Sequence, residues 1–300
     1  MISAAGLRAC LADGWRLAGA AIEAHHGGMN SATWSVSLEG RRWVAKAVAP
    51  GARRSFAGGL AVAAALEAGG IPAGAPVPDR HGRVVTDVDG VPLALLTWVP
   101  GVELSGGDRH EQRLIGATLA RVHRTLRGAP VTAGYPFHWV DPAAAHLGVR
   151  PWVREAVAGG VAALDRLDAR TLSTGLLHMD PAPKAFRWDP ATGICGVIDW
   201  SVAMTGPLLY DLASAVMYIG GPDHAGPLLD AYLDHQVLPR AEVDRGLLAM
   251  LRFRWAVQAD YFARRTVAGD LTGITDATGN EAGLERARRG LDLLGGASGF

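Results

Sequence analysis

The chain has 300 residues, of which 49% are hydrophobic, and its formal net charge at pH 7 is zero. This length can bury a large core in one or two domains, and a neutral chain without a long basic run argues against nucleic acid or an anionic membrane as the main partner. The apolar runs are short, no signal-peptide pattern is found, and two cysteines, Cys10 and Cys195, cannot form a disulfide framework. We expect a cytoplasmic protein with free thiols, a monomer or a homodimer.

A glycine-containing loop near the N-terminus is a candidate phosphate-binding element. It covers residues 25–33 and follows a segment that favours a helix and then a strand. Glycines and small polar residues let backbone N–H groups approach a phosphate closely, so Gly28, Asn30 and Ser31 are candidate nucleotide contacts. An ordinary hairpin loop explains the same letters, because Gly-Gly loops are common.

Residue periodicity predicts strands in the first third of the chain and mostly helices after it. The predicted strands lie at 34–38, 42–48, 84–86 and 92–99, with an Ala-rich helix at 56–68. The later helices are predicted to begin after a capping-box-like Asp108 and to continue at 151–168, 212–218, 225–233, 241–263 and 281–294. Residues 265–280 are expected to form a loop that closes over a pocket or links two helices.

The segment from 176 to 200 carries the residues with the clearest chemistry. Two short apolar runs each lead to a carboxylate, Asp180 and Asp199. Phosphoryl transfer uses one carboxylate to orient the attacking hydroxyl and accept its proton, and another to hold the magnesium that bridges the nucleotide phosphates. His178, two residues before Asp180, is expected to be structural, because Asp180 already fills the role of base.

Lysine usage is a further indication. Of the 29 basic residues only two, Lys46 and Lys184, are lysines, and both lie in segments expected to contact nucleotide. A compact ammonium on a flexible stem differs chemically from the planar fork of arginine. A functional need for a lysine at these positions is therefore the favoured interpretation, with coincidence as the alternative.

Four motifs resemble the aminoglycoside phosphotransferase-like kinases, a group that includes choline kinase-type enzymes and is related to the protein kinases. His178-Met179-Asp180 is similar to the start of the family's H-G-D-x-x-x-x-N loop, and Ile198-Asp199-Trp200 to its I-D-W strand end. Residues 206–213 resemble the family's G-P-x-x-Y-D-L-A, in which Asp211 would hold the catalytic loop, and Val44-Ala45-Lys46 resembles the strand lysine motif.

The resemblance implies an α+β, two-lobed, protein-kinase-like fold. Residues 1–100 would form an N-terminal lobe with an antiparallel sheet, and residues 101–300 a mostly helical C-terminal lobe, with the nucleotide between them. Thr97, Trp98 and Val99 would form the hinge whose backbone reads the base. An interior strand that ends in a turn predicts the same letters.

The resemblance also implies a role for individual side chains. Asp180 would be the base or orienter, Asp199 the Mg²⁺ ligand, and Lys46 the clamp on the phosphates of ATP or GTP. Lys184 would stabilise charge near the γ-phosphate. The implied activity is transfer of that phosphate to a hydroxyl of a small molecule.

The acceptor is less well defined by the sequence. Trp255 and Asp260 lie in a helix that mixes aromatic and charged residues, and they are candidate acceptor contacts, although core aromatics with solvated charges explain the same segment. Because arginines match the acids of the C-terminal half, a nucleoside or other antibiotic, a sugar or an amino alcohol is at least as well favoured as a cationic aminoglycoside. By analogy with the family, we expect a role in antibiotic resistance or tailoring.

Two departures from the family pattern keep other functions open. Ala185 stands where the family has a magnesium-binding Asn, so Asp199 and phosphates alone would hold the metal, another acid such as Asp189 would help, or catalysis is weakened. The helix at 56–68 also lacks an acid near Gly59 that could pair with the strand lysine, and Glu67 at its end is expected to be solvated.

These departures support an alternative in which a catalytically impaired kinase-fold protein binds nucleotide, or nothing, and acts as a regulator. Nucleotidyl transfer on the same fold is a third possibility.

Overall fold

The computed structural model describes residues 2–25, 30–131, 135–137, 140–168 and 171–296, and the structural statements below concern these residues. Helices α1 to α8 are Ala4–Trp15, Arg53–Ala68, Arg109–Thr125, Pro151–Asp165, Leu209–Tyr218, Gly226–Leu233, Arg240–Ala268 and Thr278–Gly296. Strands β1 to β11 are Ala21–His25, Ser31–Leu38, Arg41–Val48, Thr86–Val88, Val91–Thr97, Val102–Glu103, Tyr135–Pro136, Thr174–Leu177, Phe186–Asp189, Ile194–Val197 and Met204–Pro207.

The N-terminal part is a five-stranded antiparallel sheet in the order β1-β2-β3-β5-β4. Successive residues of β3 face opposite sides of this sheet. Ala45 and Ala47 join the core formed with α1, whereas Val48 packs with Phe56 of α2. Lys46 alternates with the alanines and therefore lies on the face that carries α2.

The remaining chain is mostly helical, and its main core joins α3, α5 and α7 to the strands around the catalytic segment. Two small sheets, β10-β9-β6 and β7-β11-β8, carry that segment. The predicted α+β fold, with a sheet lobe followed by a helical lobe, is confirmed. Within the described ranges, none of the helices combines the length and apolarity needed to cross a bilayer.

The predicted elements are displaced mainly at their ends. The strand expected at 84–86 lies at Thr86–Val88, because Asp89 and Gly90, with φ of 53° and 76°, form the tight turn that sets its pairing with β5. Helix α7 continues beyond the predicted residue 263 to Ala268, where Gly269 adopts the left-handed conformation that ends it. Strands β6, β7 and β11 were not predicted, because such short backbone pairings leave no periodic pattern.

Candidate active site

The loop after β8 presents Asp180, and a buried carboxylate fixes its backbone. Asp211, in the first turn of α5, is fully buried and accepts the backbone N–H groups of His178 and Met179 at 2.6 and 2.8 Å. Met179 has a φ of 75°, a left-handed conformation that costs free energy for a non-glycine residue. Asp211 also lies 3.1 Å from Nε2 of His123 on α3. It therefore anchors a strained loop to the helical core.

His178 connects this loop to the strand that carries the second carboxylate. Its Nδ1 accepts the backbone N–H of Asp180 at 3.3 Å, so Nε2 carries the ring proton and donates to the Ile198 carbonyl at 2.8 Å. The ring also packs edge-on against Trp200, with centroids 4.5 Å apart. His178 thus links the neighbours of Asp180 and Asp199.

Asp199 follows β10 and forms an ion pair with Lys46. The Lys46 Nζ and the Asp199 Oδ1 are 2.5 Å apart. The lysine is buried, but 63% of the Asp199 side chain is accessible, so the carboxylate lies in an open cleft. Desolvation by the surrounding protein atoms acts to raise its pKa, but the charge and hydrogen bond of Lys46 hold the pKa of Asp199 below its ordinary value. Asp199 is therefore ionised at neutral pH and can bind a cation.

The close approach of α2 explains why no helix acid pairs with Lys46. A Cβ atom on Gly59 would stand 2.0 Å from the Trp200 carbonyl oxygen, so the backbone of α2 rests on the segment that follows Asp199. A glutamate has no room at this position. Asp199 itself supplies the carboxylate that faces Lys46.

Glu67 was expected to be solvated, and this expectation is wrong. Its Oε1 accepts from the Thr97 hydroxyl at 2.5 Å and from the backbone N–H groups of Ala75 and Ala73 at 2.9 and 3.3 Å. The connector after α2 folds back over the end of the helix and brings three donors to one carboxylate oxygen. Glu67 therefore ties α2 to the start of the predicted hinge.

The predicted hinge leaves the end of β5. The Thr97 N–H donates to the Ala75 carbonyl at 2.9 Å, and the Arg42 guanidinium stacks on the Trp98 ring at 3.6 Å from its centroid. Within the ranges that the structure covers, the backbone N–H of Val99 has no hydrogen-bond partner, and Val99 is buried. The Trp98 N–H instead faces β3, because Thr97, which pairs with Trp43, donates its own N–H to the opposite side. Because buried backbone groups are almost always paired, the Val99 N–H is a candidate donor to a ligand.

Asp180 faces α5 and α7. The Tyr218 hydroxyl donates to its Oδ1, and Nη2 of Arg254 lies 3.0 Å from the same oxygen. Half of the Asp180 side chain, 50%, is exposed. Burial, together with the charge of Asp180, raises the pKa of Tyr218 well above its ordinary value despite the opposing effect of Arg254. The phenol therefore stays protonated and remains a donor to the carboxylate.

Asp199 is the predicted metal ligand. No group of three or more His, Cys, Asp or Glu side chains in the described part of the chain is placed to hold a metal ion. Ala185 is buried, and its carbonyl accepts the Ile198 N–H at 2.9 Å, so residue 185 lies beside the segment that carries Asp199. Asp189 does not substitute, because its two oxygens cap its own turn at 3.0 and 2.9 Å. Asp199 with nucleotide phosphates therefore stays the predicted donor set for Mg²⁺.

The other predicted nucleotide contacts, Lys184, Asn30, Ser31 and Gly28, are not joined to Asp180 or Asp199 by hydrogen bonds of the described residues. The Lys184 side chain is exposed and has no charged or hydrogen-bonded partner among the residues described. Asn30 accepts from the Tyr261 hydroxyl at 3.2 Å and thereby joins the N-terminal loop to α7. Ser31 begins β2, and Gly28 lies outside the described residues.

Trp255 and Asp260 are engaged in packing contacts. The Trp255 ring lies against Gly290 of α8, where an added Cβ would stand 2.1 Å from it. Asp260 is buried and pairs with His146 at 2.7 Å. Each side chain already contacts another element of the fold, and the acceptor-binding role of both residues stays a prediction.

The face of α7 that meets Asp180 was missed by the sequence analysis. It carries Arg254, Gln258 and Tyr261, at the i, i+4, i+7 spacing that places residues on one side of a helix. This stripe continues the buried positions Leu247 and Leu251. A charged residue at a core position of a helical pattern is the signal that could have found Arg254, since arginine is rarely buried without a partner.

The chain is similar to known proteins in sequence and in fold. The phosphotransferase enzyme family (APH) matches residues 21–247. Homoserine kinase from Caulobacter sp. (strain K31) is 27% identical over 252 residues, which cover 75% of this chain and 76% of that protein.

Two solved structures are similar over nearly the whole chain. The amicoumacin kinase hAmiN, in complex with AMP-PNP, Ca²⁺ and Ami, has a TM-score of 0.70 at 16% identity, covering 90% of this chain and 88% of that one. A microcompartment-associated aminopropanol kinase has a TM-score of 0.69 at 18% identity, covering 92% and 91%. The family match spans about three quarters of the chain and includes Lys46, Asp180 and Asp199. The chain belongs to the phosphotransferase enzyme family.

Proposed function

We propose that this chain is a small-molecule kinase, which transfers the γ-phosphate of ATP or GTP to a hydroxyl group of its acceptor. The observation that carries the proposal is the pair of carboxylates, Asp180 and Asp199, whose neighbours are linked by His178, with Lys46 bound to Asp199. A carboxylate for the hydroxyl, a carboxylate for the metal and a lysine for the phosphates are the parts that phosphoryl transfer requires.

Each group has a distinct role in this proposal. Asp199 and the phosphates would hold Mg²⁺, which neutralises charge on the nucleotide when bound. Lys46 would contact the α- and β-phosphates, and Lys184 the γ-phosphate. Asp180 would orient the acceptor hydroxyl and take its proton while the oxygen attacks phosphorus and the bond to the departing ADP or GDP oxygen breaks.

The nucleotide base would bind at the hinge. The unpaired N–H group of Val99 supports this position, since a backbone donor at a lobe junction can pair with a purine. The Thr97 hydroxyl is already bonded to Glu67, so Thr97 would help to shape the base site through its backbone position and not through its side chain. Backbone contacts of this kind do not by themselves separate ATP from GTP, so both belong in the test.

For the acceptor we propose an amino alcohol or a hydroxy amino acid. The Caulobacter relative is a homoserine kinase and one structural neighbour is an aminopropanol kinase, and both of those names describe small hydroxyl compounds with an amino group. The side chains that contact Asp180 are Tyr218 and Arg254, which do not complement a polycation. An antibiotic acceptor, as in the amicoumacin kinase, is the next candidate.

A nucleotide-binding regulator is the second candidate function, and Ala185 at the magnesium position is the observation that favours it. It predicts nucleotide binding without turnover. Strained backbone at both catalytic carboxylate segments argues for catalysis, since φ is 75° at Met179 and 74° at Asp199 and such strain persists mostly where function needs it.

The first test measures the melting temperature with ATP and with GTP, each with and without Mg²⁺. We expect a Mg²⁺-dependent rise in the wild type that is lost in Asp199→Ala. Asp189→Ala is the matched control, because that acid is close in sequence but caps a surface turn. The second test offers homoserine, aminopropanol, amicoumacin and an aminoglycoside, and detects the phosphorylated product by mass.

The outcomes separate the candidates. Phosphorylated product that disappears in Asp180→Asn supports the kinase. A Mg²⁺-dependent rise in melting temperature without product from any acceptor would favour the regulator, and a nucleotidyl adduct in place of a phosphoryl group would favour nucleotidyl transfer.

A further inference from the structure

Arg254 is a buried cation that is paired with a half-exposed catalytic carboxylate. Its side chain is 4% exposed, and Nη2 lies 3.0 Å from Oδ1 of Asp180. In the part of the chain that the structure describes, Asp180 is the one carboxylate in contact with this guanidinium. A buried charge is costly unless it is paired and hydrogen-bonded. If Arg254 were purely structural, a buried acid could pair with it equally well, and a half-exposed carboxylate in the cleft would not be needed.

The guanidinium is held rigidly from α5 and α7. Its Nε donates to the Ser214 hydroxyl at 2.9 Å, which in turn donates to the Tyr210 carbonyl at 2.8 Å. Gln258, with its amide oxygen turned toward Arg254, accepts from Nη1 and Nη2 at 3.1 and 3.2 Å. Burial alone would lower the pKa of Arg254, but the neighbouring tyrosines and Asp180 raise it above its ordinary value. The group is a fixed, permanently charged donor.

Tyr218 reaches the same oxygen of Asp180. Its hydroxyl accepts from Nη2 of Arg254 at 3.2 Å and donates to Oδ1 of Asp180. Among the described residues no donor contacts Oδ2. One oxygen of the carboxylate is thus held by two donors, while the other remains open to the cleft.

We propose that Arg254 and Tyr218 are positioning residues for phosphoryl transfer. They hold Asp180 by Oδ1, so that Oδ2 is free to accept the hydrogen bond and then the proton of the substrate hydroxyl. This inference rests on the proposed role of Asp180. Orientation of a reacting group accounts for much of enzymatic rate enhancement, and a misplacement of about 1 Å costs about 100-fold. The nucleotide contacts proposed for Lys46 and the hinge do not involve these two residues.

The effect of each substitution should therefore appear in kcat rather than in the KM for nucleotide. We expect kcat to fall about 100-fold in Arg254→Ala and about 10-fold in Tyr218→Phe, which removes one donor. The double variant should lose less than the product of the two factors, because both donors act on one oxygen. Arg254→Lys keeps the charge and should recover part of the loss.

Arg265→Ala is the control for stability. Arg265 lies on the same helix, is equally buried, and binds Asn280, Asp270 and the Thr272 carbonyl. Both arginine variants should melt at lower temperature, but the kcat of Arg265→Ala should stay within about threefold of the wild type. Its shorter hydrogen bonds serve the loop before α8, and its contact with the Tyr261 hydroxyl is longer, at 3.4 Å. Added guanidinium, below the concentration that lowers the wild-type melting temperature, should restore part of the kcat of Arg254→Ala alone.

Turnover is measured with ATP, Mg²⁺ and the best acceptor of the panel, or as ATP hydrolysis where water is the only acceptor. If Arg254→Ala and Arg265→Ala lose kcat equally, or if the loss lies in the KM for ATP, the positioning role is overturned while the kinase function stands. If the wild type shows no Asp180-dependent turnover, the proposed function fails and the role of Arg254 fails with it.

Discussion

The buried carboxylate of Asp211 should be as important for activity as the residues that face the cleft. It accepts backbone N–H groups of His178 and Met179 and contacts Nε2 of His123. The substitution Asp211→Asn keeps the size of the side chain but changes what it can accept. It therefore isolates the hydrogen bonds from the packing.

The magnitude follows from counting acceptors. Asparagine has one acceptor oxygen where aspartate has two, and its better orientation keeps the His178 and His123 contacts while the amide NH₂ group faces the Met179 N–H. One hydrogen bond to a charged acceptor is lost and a buried donor is left unpaired, at a cost of about 2–4 kcal/mol. This corresponds to a melting temperature lower by about 4–8 °C.

The lost bond is also the one that holds Met179 at its φ of 75°. Asp180 is the next residue, so relaxation of this backbone should misplace its carboxylate and lower kcat by about 100-fold. Glu242→Gln is the matched control, because Glu242 is also buried and accepts the N–H and the hydroxyl of Ser173. It should melt at lower temperature with kcat within about twofold of the wild type. Equal kcat values for the two variants would refute the reasoning.

Three further predictions concern the metal, the helix contact and pH. Ala185→Asn should supply a metal-ligand oxygen and lower the Mg²⁺ concentration for half-maximal turnover by about tenfold. An unchanged Mg²⁺ titration would mean that this side chain does not reach the metal. Gly59→Ala should reduce the free energy of unfolding by about 1–3 kcal/mol, since its Cβ would stand 2.0 Å from a backbone carbonyl oxygen. The control Gly159→Ala, in α4, meets nothing within 4 Å and should be neutral or stabilising in a urea titration. Burial acts to raise the pKa of Asp79, but hydrogen bonds and the charge of Arg83 lower it below its ordinary value. The ionised Asp79 therefore stabilises the folded state above about pH 4, and this contribution is lost as the pH falls. The urea midpoints of the wild type and Asp79→Asn should therefore converge below that pH, and a constant difference down to pH 3 would contradict the assignment.

The sequence predicts the fold well because the fold depends on periodic burial. Alternating residues place Lys46 and Val48 on one face of β3, and helical stripes place the core faces of the later helices. Asp180 and Asp199 could be selected because each closes an apolar run, a local feature. Their partners are set by contacts between distant segments, such as the pair of Arg254 and Asp180, and these leave no mark in a local pattern.

Glu67 shows the same limit within a single segment. Its position at the end of α2 favours a solvated side chain, but the connector that follows returns over the helix and presents donors from Ala73, Ala75 and Thr97. The direction of a connector is decided by packing, in this case by the bridge of Pro76 with Leu96. No propensity of the residues near Glu67 encodes that return.

The two departures from the family pattern have a common structural consequence around Asp199. Gly59 lets the backbone of α2 rest on the Trp200 carbonyl, and the backbone carbonyl of the buried Ala185 accepts the Ile198 N–H. The segment that carries Asp199 is thus held by backbone contacts with α2 and with the loop that carries Asp180. A chain that had lost its catalytic function would have no need to keep Asp199 strained, ionised and paired with Lys46. The absence of the helix acid and of the loop Asn is therefore weaker evidence against catalysis than the sequence alone indicates. The Mg²⁺ titration of Ala185→Asn tests whether this backbone packing has replaced the contribution of the Asn side chain to the metal site.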